Sequence, residues 1–105
     1  MDNFGLPDKT IEMIKNLFRS YSEISEVKIF GSRARGNYKL GSDIDLAIFG
    51  KIDEKLLRHI AFELDELSTP YKFDVLNYDT VDNETLKQNI DKYGKLLHRN
   101  STPAN

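Results

Sequence analysis

Apolar residues recur at helical spacing in three stretches of this chain, and shorter apolar runs lie between them. Positions i, i+3, i+4 and i+7 of a helix share one face, so such spacing predicts a buried stripe. The three stripes are Ile11, Ile14, Leu17, Phe18 and Tyr21; Leu56, Leu57, Ile60, Leu64 and Leu67; and Leu86, Ile90 and Tyr93. The pattern therefore predicts three amphipathic helices, each with one buried face.

Local signals place the ends of these helices. Pro7 or Asp8 is predicted to begin the first helix, since proline is favoured in a first turn and aspartate as a cap. Asp53 is predicted to cap the second helix and Asn83 the third, because their side chains can accept hydrogen bonds from free N–H groups. Gly94 is predicted to end the third helix.

The runs between the helices predict strands at residues 27–30, 43–49 and 71–77, with a short extended segment at 95–99. Within 43–49 the residues alternate, so that one face would carry Ile44, Leu46 and Ile48. The resulting order, α-β-turn-β-α-β-α, predicts an α/β (α+β) fold in which helices pack on a small mixed sheet.

Length and composition narrow the classes of protein that the chain can represent. Its 105 residues predict one domain, 1–100, followed by a polar, flexible tail, 101–105. With no cysteine, a disulfide framework and a thiolate zinc site are excluded. No apolar run approaches the roughly 18–20 residues that a membrane span needs, so we expect a cytoplasmic protein without a membrane partner.

The segment 31–45 carries the candidate chemistry. Gly31-Ser32 follows a predicted strand directly, and such a turn can present backbone N–H groups to phosphate oxygens. Asp43 and Asp45 would lie on one strand face with Cα atoms roughly 6.5–7 Å apart, where both carboxylates can reach one divalent cation. The third predicted strand offers another carboxylate, Asp74, to complete the metal site or to accept a proton.

The charge pattern is consistent with a small anionic ligand. The chain has 15 basic and 17 acidic residues, and its net charge of −2 argues against strong nucleic-acid binding. Residues 27–42 nevertheless contain no acidic residue and four basic ones, namely Lys28, Arg33, Arg35 and Lys39. Carboxylate ligands without a nearby histidine or cysteine favour Mg²⁺, with Mn²⁺ as the alternative.

Gly31-Ser32 with Ala34-Arg35-Gly36, followed by the run 42–46, resembles the signature of the DNA polymerase β-like nucleotidyltransferase superfamily. Within this superfamily, the small size of the chain and the sequence of residues 31–36 most resemble the minimal nucleotidyltransferases, the MNT or MntA group. The resemblance implies a polymerase β palm-like fold and membership of a toxin–antitoxin system. Its usual partner is a small helical HEPN protein, to which AMP can be transferred on a tyrosine.

The resemblance also implies residue roles. Asp43, Asp45 and Asp74 would be catalytic and would hold the metal, while Gly31 and Ser32 would contact the triphosphate. Three more residues are nucleotide-binding candidates: Arg33, Arg35 and Ser42. Both arginines could instead be surface charges, and Arg35 could brace the loop through a carboxylate.

The sequence therefore predicts a Mg²⁺-dependent nucleotidyltransferase (EC 2.7.7-type) that uses an NTP, with ATP the first candidate, and modifies a hydroxyl. One alternative is a nucleotide-binding or partner-neutralising module with little activity alone. Another is a small-molecule nucleotidyltransferase of the aminoglycoside type, although no acceptor-binding region is evident after Arg99. We accordingly expect a HEPN-type helical partner, or a homodimer, to complete the site.

Overall fold

The structure, a computed structural model, describes residues 3–100; the predicted flexible tail, 101–105, lies outside the described residues. The elements, in chain order, are α1 (Asp8–Arg19), β1 (Ile24–Phe30), α2 (Gly31–Arg35), β2 (Ile44–Gly50), α3 (Glu54–Asp65), β3 (Phe73–Asn77), a 3₁₀ turn (Tyr78–Thr80), α4 (Glu84–Tyr93) and β4 (Lys95–Arg99). The predicted α/β class is confirmed; the element order agrees except that residues 31–35, predicted as a turn, form the short helix α2, and that a 3₁₀ turn follows β3.

The four strands form one mixed sheet in the order β3-β2-β1-β4. β1 runs antiparallel to both of its neighbours, whereas β2 and β3 are parallel and are joined through α3. Parallel neighbours need such a crossover connection, and α3 is the helix that the apolar stripe from Leu56 to Leu67 predicts. The mixed sheet is thus confirmed.

Side-chain caps fix two helix starts where the sequence places them. Asp53 accepts a hydrogen bond from the Leu56 amide at 2.7 Å, and Asn83 accepts one from the Leu86 amide at 3.1 Å. Pro7 occupies the cap position of α1, where no side-chain bond is made. Within residues 3–100, no helix combines the length and the apolar character that crossing a membrane requires.

The two faces of the sheet are covered unequally. The larger core lies under α1 and α3 and includes Ile14, Phe18, Val27, Ile29, Ile44, Leu46, Ile48, Ile60 and Leu64. The opposite face has a small core of Phe30, Ala47 and Ile90, against which α4 packs. Beside this small core, the face where β2 and β3 begin carries acidic side chains rather than apolar ones.

Candidate active site

Two of the three predicted carboxylates lie side by side on the α4 face of the sheet. Asp45 and Asp74 are register partners on the parallel strands β2 and β3, which in a sheet lie about 4.8 Å apart. Residues opposite one another in register share a face, so both side chains leave the sheet in the same direction. Asp43 precedes β2 by one residue and lies close enough for its charge to act on Asp45.

Gly31 allows the Asp45 carboxylate to approach the backbone at the start of α2. A Cβ atom added to Gly31 would lie 2.3 Å from Asp45 Oδ2, and the glycine has φ of +73°. Both features disfavour a side chain at this position. The start of α2 at Gly31 therefore lies directly against Asp45.

Arg33 is buried and holds the loop that leads to Asp43. Its Nε and Nη2 donate to the Ser42 carbonyl at 3.1 and 3.0 Å, and its Nη1 donates to the Phe4 carbonyl at 2.9 Å. Its guanidinium also lies 5.2 Å from the Tyr38 ring centroid and 5.1 Å from that of Tyr71. With these partners Arg33 is not presented to a ligand, which argues against the predicted nucleotide contact.

The remaining nucleotide-binding candidates separate into two groups. Ser42 belongs to the loop: its hydroxyl accepts from the Lys39 amide at 2.8 Å, and its carbonyl accepts from Arg33. Ser32 is half-buried at the second position of α2, and within the described part of the chain its hydroxyl makes no hydrogen bond. Arg35 is exposed, with its guanidinium 5.5 Å from the Tyr93 ring centroid. Ser32 and Arg35 thus remain accessible, whereas Ser42 is held within the loop.

A family model described as polymerase beta, nucleotidyltransferase matches residues 12–103, which is most of the chain. The chain belongs to this family. No curated protein sequence matches it. This nucleotidyltransferase therefore has a family signature that spans the sheet, the acidic face and α4.

Several solved structures with the same fold are toxin–antitoxin complexes. A toxin–antitoxin with AMP-PNP has a TM-score of 0.69 at 21% identity, covering 91% of this chain and 76% of that one. An MntA-HepT toxin–antitoxin has a TM-score of 0.66 at 20% identity, covering 87% and 71%. A tri-AMPylated Shewanella oneidensis HEPN toxin in complex with MNT antitoxin has a TM-score of 0.65 at 21% identity, covering 85% and 69%. At these identities the likeness establishes a shared fold.

On the acidic face of the nucleotidyltransferase, the environment of Asp45 disfavours its charged form. Burial, followed by the negative charges of Asp74 and then Asp43, raises the pKa of Asp45 to about 6. A carboxyl group so disfavoured as an anion gains from any cation that comes close to it. The donor set therefore fits a hard divalent cation, because all three candidate ligands offer carboxylate oxygens.

The three carboxylates are not yet gathered as a ligand set. Among residues 3–100, no three His, Cys, Asp or Glu side chains are grouped closely enough to hold a metal ion. Like charges near one another repel, so three acidic side chains without a cation are expected to spread apart. The backbone places Asp45 and Asp74 side by side on neighbouring strands.

Two features of this face could not be identified in the sequence. One is the bracing role of Arg33, whose carbonyl partners lie 9 and 29 residues away from it in the chain. The other is a cluster of basic side chains at the end of α4, where Lys92 lies 5.2 Å from the Tyr93 ring centroid. No sequence pattern indicated that Arg33 is buried. Lys92 and Lys95 could be read from the sequence, but their proximity to α2 could not.

Proposed function

We propose that this nucleotidyltransferase transfers AMP from ATP to a hydroxyl of a partner protein and releases pyrophosphate. The observation that carries the proposal is the in-register pair Asp45 and Asp74 beside the Gly31 turn. Carboxylates and a phosphate-binding turn are the parts that nucleotidyl transfer needs at one place. Support for ATP as donor comes from the AMP-PNP present in one structure of similar fold.

The donor set fits Mg²⁺, and we assign Asp43, Asp45 and Asp74 as its ligands. When bound, the cation neutralises charge on the phosphates and on the leaving pyrophosphate. Ser32, with the backbone N–H groups of its turn, is assigned to the terminal phosphates, and Arg35 to the outer edge of the nucleotide. Arg33 and Ser42 are assigned to the loop, because their polar groups have protein partners.

The reaction is an in-line substitution at phosphorus. The acceptor oxygen forms a bond to the α-phosphorus, the bond to the bridging oxygen of the β-phosphate breaks, and pyrophosphate leaves with that electron pair. The hydroxyl proton passes to a carboxylate, for which Asp74 is our candidate because it is exposed beside Asp45. The protein's contribution is to position these groups before the reaction.

We further propose that the acceptor is a tyrosine of a HEPN-type protein, so that this chain acts as the antitoxin of a pair. The supporting observation is that the HEPN toxin in one complex of similar fold is tri-AMPylated. The test is incubation of the chain with α-labelled ATP, Mg²⁺ and the product of a neighbouring HEPN gene. Label should appear on the partner, and Asp45→Asn should abolish it.

The same experiment separates the proposal from its two alternatives. ATP binding without labelled partner, even at long times, would indicate a module that neutralises by binding alone. Label on a free aminoglycoside-type acceptor, with none on protein, would indicate a small-molecule enzyme. Omission of the divalent cation is the control, and full transfer in excess chelator would refute the assignment of the three carboxylates.

A further inference from the structure

An open groove of ~660 Å³ lies where the end of α2 meets the junction of α4 and β4. Its polar lining consists of Arg35, Asn37, Asn89, Lys92, Tyr93 and Lys95. Three of these side chains are cationic and two are amides, and none of the described residues that line the groove is acidic. A net charge of +3 in one groove is unusual for a chain whose total charge is −2.

Tyr93 organises the positive charges of the groove. Its side chain is 40% exposed, and the Arg35 guanidinium and Lys92 Nζ lie 5.5 and 5.2 Å from its ring centroid. Cations over an aromatic face are held by the ring quadrupole. The aromatic ring thus keeps two cationic groups at the groove instead of leaving them to move freely in solvent.

The groove is distinct from the acidic face. None of the three candidate carboxylates lines it, and Asp43 instead lines a separate hollow with Tyr71 and Lys72. The groove adjoins α2, the element that begins with the Gly31-Ser32 turn, and Arg35 belongs to both. A molecule bound in the groove would therefore lie next to the nucleotide without occupying the metal site.

We propose that this groove, which we call the basic groove, binds an acidic segment of the acceptor protein. The proposal rests on the function proposed above and names how the acceptor is recognised. Glutamate and aspartate side chains would pair with Lys92, close to the positive charges of Arg35 and Lys95, while the amides of Asn37 and Asn89 would bind peptide groups.

The charge distribution favours an acidic peptide over the other polyanions. A chain of net charge −2 repels an acidic partner over most of its surface, so that attraction confined to one groove sets the orientation of docking. Nucleic acid, with a charge on every nucleotide, is held by long basic tracks. One short groove on an acidic chain matches a few carboxylates better than such a track.

The test measures binding without nucleotide, by fluorescence anisotropy of a labelled random copolymer of glutamate and tyrosine. A copolymer of lysine and tyrosine and a single-stranded oligonucleotide serve as comparison probes. The variants are Lys92→Glu and, as a second groove variant, Asn89→Asp. Lys55→Glu on α3 is the matched control for Lys92→Glu, since Lys55 is also exposed and its reversal changes the net charge by the same amount.

We expect the glutamate-tyrosine copolymer to bind most tightly and Lys92→Glu to weaken it about tenfold or more, with a smaller loss in Asn89→Asp. Lys55→Glu should stay within about twofold of the wild type, and affinity should fall as salt screens the charges. Equal affinity in the wild type and both groove variants would overturn the proposal. So would tighter binding of the oligonucleotide or of the lysine copolymer.

ATP affinity, measured on the same proteins, separates this proposal from the proposed function. We expect Lys92→Glu to bind ATP as the wild type does; a loss equal to that for the copolymer would make the groove part of the nucleotide site and overturn the proposal. If the wild type binds the acidic copolymer but transfers no AMP to any protein, the proposed function fails while the docking groove stands.

Discussion

The contact between Gly31 and Asp45 can be tested with a pair of glycine variants. Gly31→Ala adds a Cβ atom 2.3 Å from Asp45 Oδ2, at a backbone φ of +73°. Gly36→Ala, at the end of the same helix, has a φ of +85° and no atom within 4 Å of the added Cβ. The two variants therefore share the backbone strain, but only the first displaces a carboxylate.

We expect Gly31→Ala and Gly36→Ala to lower the free energy of unfolding by similar amounts but to differ in their effect on the rate of AMP transfer. A non-glycine residue in the left-handed region costs roughly 1–2 kcal/mol, and this applies to both positions. Asp45 ends in a flexible carboxylate that can retreat, so the extra contact at Gly31 should add little to the loss of stability. An ordinary contact begins at 3.4 Å, so Oδ2 must move by more than 1 Å. Since a displacement of about 1 Å can cost roughly 100-fold in rate, we expect that loss from Gly31→Ala.

The assay compares urea unfolding with the initial rate of labelled AMP transfer to the partner protein for both variants and the wild type. Gly36→Ala should keep its rate within about threefold, because its strain lies away from the acidic pair. If Gly31→Ala unfolds like Gly36→Ala and also transfers AMP at the same rate, the contact with Asp45 has no part in the reaction, and our reading of the turn is wrong.

Three more predictions concern stability. Burial and the neighbouring carboxylates raise the pKa of Asp45 to about 6, so the anion opposes folding above that pH. Without divalent cation, Asp45→Asn should therefore stabilise the protein by about 1 kcal/mol after allowance for solvent screening. Urea unfolding should show this gain decreasing as the pH is lowered from 6 toward 4. Arg33→Met should destabilise by about 3 kcal/mol, because carbonyls bound to a charged donor lose it, whereas the exposed Arg35→Met should change urea stability by less than about 0.5 kcal/mol. Burial, then two basic side chains of α1, lower the pKa of His98, so this histidine should remove stability as pH falls below about 6.5, in the opposite direction to Asp45. The stability of His98→Phe, which can keep the stacking on Phe18, should therefore rise relative to the wild type below that pH. A difference between the two proteins that does not change with pH would contradict the assignment.

The elements that the sequence predicted well are those whose signals are local. Asp53 and Asn83 cap their helices because a short polar side chain reaches an N–H three residues later, whatever the rest of the fold does. The predicted first strand was too short: it begins at Ile24, not at residue 27. Ser25 and Glu26 concealed its start, since polar residues at the end of a strand look like a loop.

The prediction that Asp74 joins the site of Asp43 and Asp45 requires the third predicted strand to lie beside the second. The register of Asp45 with Asp74 on the neighbouring strands β2 and β3 meets that requirement. Sequence could not show that β1 lies between β2 and β4, because pairing between distant strands depends on contacts that leave no local pattern.

Arg33 was placed among the nucleotide ligands because charge is visible in a sequence and burial is not. Residues 33 and 35 lie about 200° apart around a helix, so one can face the core while the other faces solvent. The structure shows that division, with Arg33 buried and Arg35 exposed. A basic residue inside a glycine-rich motif can thus be a structural support as readily as a ligand.

The three carboxylates are positioned in three different ways, so a partial loss of stability should not affect them equally. Sheet register holds Asp74 beside Asp45, and a glycine permits the position of Asp45 itself. Asp43 depends on a loop whose Ser42 carbonyl is bound by Arg33. A sheet position is lost only when the strands separate, whereas a loop position is lost when its few hydrogen bonds open. Conditions that weaken the protein without unfolding it should therefore displace Asp43 first and leave the pair Asp45 and Asp74 in place.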